Sequence, residues 1–264
     1  MSSLVEKVKN GEYFVIFDKE EIDWQDDDDG WTALMWAANG TSNYNDETVE
    51  YLLNNGSDVD LYSDCDGLTA LLIAAQCGNT EVCRMLIDYG ADMEWRDNLG
   101  MTALTLACVN GHTVTAACLL DLGALIEDED DQGWTCLHWA SAAGQMEMVK
   151  LLLMKGANVE HCDRKGNTAL HVAAEQGEIG VAKVLIHFGA NINALNKMGR
   201  SALYQAISSR KIGLVRLLLS CGVDLVGEDE IGLTPLDVAR NLKASCKELI
   251  RIVTPSGSNR DGSL

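Results

Sequence analysis

The sequence predicts an all-α solenoid of stacked helix-turn-helix units joined by β-hairpin or turn connections, and three observations carry that reading. The first is a period. A Gly-x-[Thr/Ser]-x-Leu element begins at Gly30, Gly67, Gly100, Gly133, Gly166, Gly199 and Gly232, a step of 37 residues once and of 33 five times. Self-similarity at this length is the signature of a repeat architecture. The second is composition within the period: small residues follow the Leu, as at Ala74-Ala75, Ala107, Ala140, Ala173-Ala174 and Ala206. An apolar helical stretch then follows, such as Val149, Leu151, Leu152 and Leu153. The third is a closing glycine at Gly56, Gly90, Gly123, Gly156, Gly189 and Gly222, each before a small or apolar residue. A helix terminator free to adopt positive φ is expected there.

Each unit therefore reads as two short helices and a turn-rich stretch. Threonines 32, 69, 102, 135, 168 and 234, and Ser201, stand where a side-chain oxygen can cap the first helix by accepting a backbone N–H. The alanines let that helix approach its neighbours closely. Leu and Val of the second helix fill the space between units, so each unit is stable only when stacked.

The repeats fall at 27–63, 64–96, 97–129, 130–162, 163–195 and 196–228, six full units. Residues 1–26 hold Leu4, Val5, Val8 and an apolar Phe14-Val15-Ile16-Phe17 stretch, suited to a divergent N-terminal cap, and 229–253 form a shorter terminal one. The first unit carries four extra residues centred on Thr41-Ser42-Asn43, read as a tolerated surface loop. Residues 254–264 are Ser/Gly-rich with almost no apolar content, and a disordered tail is expected.

Thr-Cys-Leu-His-Trp-Ala at 135–140 and Thr-Ala-Leu-His-Val-Ala at 168–173 resemble the Thr-Pro-Leu-His-x-Ala motif of the ankyrin-repeat family. The resemblance covers almost the whole chain. Proline follows the threonine only at Pro235, and the histidine is kept only at His138 and His171. It implies an ankyrin-repeat solenoid acting as a non-catalytic protein-protein interaction module: a scaffold, adaptor or inhibitor.

Charge narrows the partner. The formal net charge is −20, with 28 acidic and 5 basic side chains in residues 1–132 against 12 and 15 in 133–264. Nucleic-acid phosphates and anionic lipid would be repelled, so the expected partner is a protein, through a basic and partly apolar segment docking on the first four repeats. A monomer is expected, without membrane insertion. Nine cysteines, an odd count with no C-x-x-C pair, read as reduced thiols, and no signal peptide or long apolar span is present, so cytoplasm or nucleus is expected.

No motif for catalysis stands out: nucleophile elbow, Walker sequence, dinucleotide fingerprint and metal-protease helix are all missing, so neither an enzyme nor a cofactor is expected. In the resemblance His138 and His171 bond within and between repeats. Cys77 with Cys83, and Cys108 with Cys118, are too irregularly spaced for zinc and read as buried small hydrophobes. The acidic runs 26–29 and 127–131 lack the calcium-loop pattern and read as solvated or partner-facing hairpin. Gly189-Ala190-Asn191-Ile192-Asn193 resembles the hairpin that intracellular asparaginyl hydroxylases modify in ankyrin domains, with Asn193 at the target position. An enzyme with an unrecognised site is the remaining rival.

The resemblance also implies that binding residues surround each Asp-x-x-Gly-x-Thr turn, at the hairpin tips and the concave face. These are Asp28, Asp29 and Trp31; Cys65, Asp66 and Leu68; Asn98, Leu99 and Met101; Asp131, Gln132 and Trp134; Arg164, Lys165 and Asn167; Lys197, Met198 and Arg200. Trp31, Leu68, Met101 and Trp134 form an apolar row expected to anchor the partner. The alternative is that neighbouring tips pack on one another and bury these side chains.

Overall fold

A computed structural model describes residues 4–10, 21–40, 45–225, 227–241 and 252–253. Phe14–Phe17, the Thr41–Asn43 insertion and the 254–264 tail lie outside the described residues. Helix α1 (Leu4–Lys9) precedes six helix pairs: α2 (Ala33–Ala38) with α3 (Asn45–Asn54), α4 (Ala70–Cys77) with α5 (Thr80–Asp88), and α6 (Ala103–Val109) with α7 (Thr113–Asp121). The series continues with α8 (Cys136–Ala142) and α9 (Met146–Met154), α10 (Ala169–Gln176) and α11 (Ile179–His187), and α12 (Ala202–Ser208) and α13 (Ile212–Ser220). Helix α14 (Pro235–Asn241) opens a further unit. The connections are turns, with isolated antiparallel bridges Gln25–Thr32, Tyr62–Thr69 and Leu195–Ser201 as all that forms of the hairpins among the described residues.

Local chemistry sets the helix ends. Oxygens of Thr32, Thr69, Thr102 and Ser201 accept the backbone N–H three residues on, at 3.2–3.4 Å. Thr234 goes further, because the Asp237 carboxylate returns the bond to its N–H at 3.2 Å and its hydroxyl at 2.6 Å. At the far end of α4, Gly78 sits at φ +79°, and a Cβ there would lie 2.5 Å from the His112 ring of the next unit. The sixth unit places Arg210 in the equivalent position, at φ 58°.

Stacking follows from side-chain size. Ala74, Ala107, Ala140, Ala173 and Ala206 of the first helices are fully buried, and each first helix packs on the first helix of the next unit. Leu52, Leu86, Leu119, Leu152, Leu185 and Leu218 of the second helices are at most 1% exposed and join one continuous core. No unit could bury these leucines alone, which is why the stack rather than the repeat is the folding unit. No described helix is long and apolar enough to cross a membrane.

Candidate partner-binding face

Every tip is built around one polar side chain that the loop wraps. Asp97, Asp130, Asp163, Asn196 and Asp229, three residues before the tip glycine, accept two backbone N–H bonds through one oxygen. For Asp130 these come from Gln132 at 2.7 Å and Trp134 at 2.9 Å; for Asp163, from Lys165 at 2.8 Å and Asn167 at 2.7 Å. In the first two units the loop is one residue longer and the anchor is Asp26 or Ser63. The anchor's own N–H then closes the loop onto the carbonyl of the residue after the glycine, as Asp130 does to Trp134 at 3.0 Å.

This wrapping decides which side chains face out. The two residues before the glycine are at the crest, giving one row of Asp28, Cys65, Asn98, Asp131, Arg164 and Lys197, all exposed, and a second of Asp29, Asp66, Leu99, Gln132, Lys165 and Met198. Leu99 is 68% exposed and Met198 50%, and Ile231 of the terminal unit, which the sequence reading did not single out, is 73% exposed. The residue after the glycine is drawn back toward the threonine cap. Leu68 and Met101 are therefore core residues, at 9% and 8% exposure, while Trp31, Trp134, Asn167 and Arg200 are half-buried. The apolar row expected across Trp31, Leu68, Met101 and Trp134 is thus not an exposed row: Leu68 and Met101 belong to the core, and the two tryptophans are half-buried against Trp36 and Trp139.

The tryptophans are wired into the scaffold. Trp31 lies 4.7 Å from Trp36, and Trp134 lies 4.8 Å from Trp139. Trp36 and Trp139 donate Nε1–H to the anchors of their own units, Asp26 at 2.8 Å and Asp130 at 2.9 Å, whereas Trp134 reaches Asp163 of the next unit at 3.2 Å. Lys9 sits over the Trp36 ring and pairs with Asp28 at 3.5 Å. One side of Trp134 remains open: Gln132, Trp134, Trp139, Asp163 and Lys165 line a hollow of about 140 Å³ between the fourth and fifth tips.

Neighbouring tips are tied backbone to backbone. Asn98 N–H donates to Asp66 O at 2.9 Å, Arg164 to Gln132 O, Lys197 to Lys165 O and Glu230 to Met198 O, each at 3.0 Å. From the second tip to the third, and from the fourth through the seventh, the crest side chains therefore project from a registered edge. The family described as "Ankyrin repeats" matches this chain in three copies, over 4–97, 89–163 and 155–229. The chain belongs to the ankyrin-repeat family. A crystal structure of the ankyrin repeat domain of Bcl-3, described as a unique member of the IkappaB protein family, is similar, with 32% identity and a TM-score of 0.71. That match covers 86% of this chain and 99% of the other. Comparison with curated proteins gives no match.

As an ankyrin-repeat chain the molecule is a protein-interaction module, and its two motif histidines work inside the scaffold. Nδ1 of His138 accepts the Thr135 N–H at 3.3 Å, which leaves the proton on Nε2 to donate to Asn167 O of the next repeat at 3.1 Å. His171 repeats this with Thr168 at 3.2 Å and Arg200 O at 3.0 Å. Burial disfavours the imidazolium and outweighs the carbonyl bonds and nearby carboxylates, so both rings are held below the ordinary histidine value of 6.5.

A second set of inter-repeat bonds runs beneath the tips. Asp23, Asp60, Glu94, Glu127, Glu160 and Asn193 each accept a backbone N–H from the following unit, at 3.0, 3.0, 3.2, 2.7, 2.7 and 2.8 Å. Asn193 is exposed, yet its Oδ1 is occupied by Asp224 N–H. Among the cysteines, burial pushes the Cys83 thiol up to about 12, and Cys108, Cys118 and Cys136 are buried with it. Cys77, expected in the core, is exposed instead because it ends α4 on the side facing solvent. Among the described residues no group of three His, Cys, Asp or Glu side chains is placed to hold a metal ion.

Proposed function

We propose that the chain is a non-catalytic scaffold, adaptor or inhibitor that holds a basic, partly apolar protein segment along its crest and concave face, as a monomer and without a cofactor. One observation carries this: the tips of the first two repeats present exposed Asp27, Asp28, Asp29 and Asp64 beside the half-buried Asp66, Lys9 pairs with Asp28, and the apolar Leu99 follows on the third. Exposed carboxylates in a row attract a cationic chain and steer its approach. Residues freed from packing and held on a rigid edge can be selected for contact. The likeness to the Bcl-3 ankyrin domain supports the interaction class and leaves the partner open. Cytoplasm or nucleus suits such a module.

The test is fluorescence anisotropy with a labelled basic peptide containing Leu and Phe. Asp29→Lys with Asp64→Lys, both exposed, should weaken binding, and so should raising salt from about 0.05 to about 0.5 M. Binding indifferent to both would refute the proposal. These positions serve better than Trp31 and Trp134, whose removal would also disturb packing. The rival reading, Asn193 as a hydroxylase substrate, is favoured by the resemblance of the 189–193 hairpin and by the exposure of Asn193, and it must first break the bond to Asp224. An intact-mass gain of one oxygen, absent in Asn193→Ala, would establish it.

A further inference from the structure

The exposed crest changes sign along the stack. Exposed Asp28, Asp29 and Asp64, with the half-buried Asp66, give way to Asn98 and Leu99, then to Asp131 and Gln132, and then to Arg164, Lys165 and Lys197 with the half-buried Arg200. In a chain of formal charge −20 this cationic stretch on the fifth and sixth repeats is a local exception. The anchor carboxylates do not cancel it at the surface. Asp163 is only 4% exposed and spends its oxygens on Lys165 N–H, Asn167 and Trp134, and Asp229, 6% exposed, is taken by Ile231, Leu233 and Tyr204 with Arg200 at 3.6 Å. Lys197 Nζ donates to Arg164 O at 2.9 Å, which holds the two basic tips together.

The hollow beside Trp134 lies where the sign changes. Its 140 Å³ is well under the about 300–1,000 Å³ of small-molecule sites, so it admits one side chain and no cofactor-sized ligand. Two indole rings give it apolar walls, and Lys165 stands on its basic side.

We propose that the partner is an extended, bipolar segment: a basic block over the first two repeats, an apolar residue in the Trp134–Trp139 hollow, and an acidic block over Arg164, Lys165 and Lys197. This rests on the crest-binding reading above and adds to it the acidic half and its place. A wholly basic segment would meet like charge on the fifth and sixth repeats, which works against binding in that register.

The experiment compares three labelled peptides of roughly 15 residues, long enough in extended form to cross several tips, with the same Leu-Phe centre. One has basic and acidic flanks, one two basic flanks and one two acidic flanks. On the wild-type chain at low salt the bipolar peptide should bind about tenfold more tightly than the doubly basic one. Arg164→Glu with Lys165→Glu, both exposed, should reverse that order while circular dichroism and melting stay as in wild type. Equal binding of the bipolar and doubly basic peptides, or an order unchanged in the variant, would overturn the bipolar assignment. In that case, sensitivity of the basic peptide to Asp29→Lys and Asp64→Lys would leave the crest-binding reading standing. If none of the three peptides binds, both fall.

Discussion

Replacing Asp163 tests whether the anchor carboxylate, rather than the helices alone, holds adjacent repeats in register. The side chain is 4% exposed and accepts four bonds: Lys165 N–H at 2.8 Å, Asn167 N–H at 2.7 Å, Asn167 Nδ2 at 3.0 Å and Trp134 Nε1 at 3.2 Å. Asp163→Ala strands all four donors. A hydrogen bond to a charged group contributes about 1.5–3 kcal/mol net and an orphaned donor costs about 1–3, but these are not additive and the loop can relax toward water, so about 3–5 kcal/mol is expected. Asp163→Asn is the internal control, because Asn196 already does the same work in the next repeat, accepting Met198 and Arg200 N–H at 3.0 Å each. It keeps the Oδ1 bonds but turns an amide toward two donors, and the Asn167 oxygen cannot help because it receives Asn196 Nδ2 at 2.8 Å. The loss should be about 1–2 kcal/mol. Urea unfolding followed by tryptophan fluorescence and circular dichroism gives both numbers. In a linear stack the alanine variant should also split the transition at the fourth and fifth repeats. An alanine variant within about 1 kcal/mol of wild type, or one equal to the asparagine variant, would refute the argument.

The histidines give a pH signature: each has a lowered value in the fold, so its contribution is complete above about pH 6.5 and is lost as pH falls from there through the folded value. Urea midpoints measured from pH 7.5 downward should decline for wild type and decline less for His138→Gln with His171→Gln; parallel curves would count against it. Arg210 at φ 58° carries the left-handed penalty that glycine avoids, so Arg210→Gly should stabilise by about 1 kcal/mol, and a lower melting temperature would show the strain to be absent. Leu68→Ser should cost about 2–4 kcal/mol and Leu99→Ser less than about 0.5, because the first is packed and the second lies on the crest; equal losses would mean that the rows are misassigned.

The fold was legible because its determinants are local. Threonine caps and the small residues of each first helix recur at a fixed step, and any chain with that pattern must stack to bury Leu86, Leu119 and Leu152. The crest was harder. Trp31 stands two residues beyond the exposed Asp29 and Leu68 three beyond the exposed Cys65, each across a glycine, and nothing in their identity says on which side of the loop they fall. That is fixed by the anchor at Asp26, Ser63, Asp97, Asp130, Asp163, Asn196 and Asp229, whose oxygen pulls in the N–H after the glycine. The signal was present as a polar residue three or four places before each glycine, but its inward orientation is a three-dimensional fact. The acidic residues Glu94, Glu127 and Glu160 likewise look like surface charge in the sequence and are inter-repeat acceptors in the fold.

Those acceptors have a consequence for how such a chain can change its length. In each rung the side chain comes from one repeat and the donor from the main chain of the next, so the donor side is the same whatever residue occupies it. Asp60, Glu94 and Asn193 all serve, differing only in reach. A duplicated or excised block of 33 residues would then meet a compatible neighbour at either splice: without 130–162, Glu127 would find the amide of Asn191 where it now finds that of Asn158. This rung needs no matched second mutation at the join, so it survives the gain or loss of whole units while the surface that each unit displays diverges.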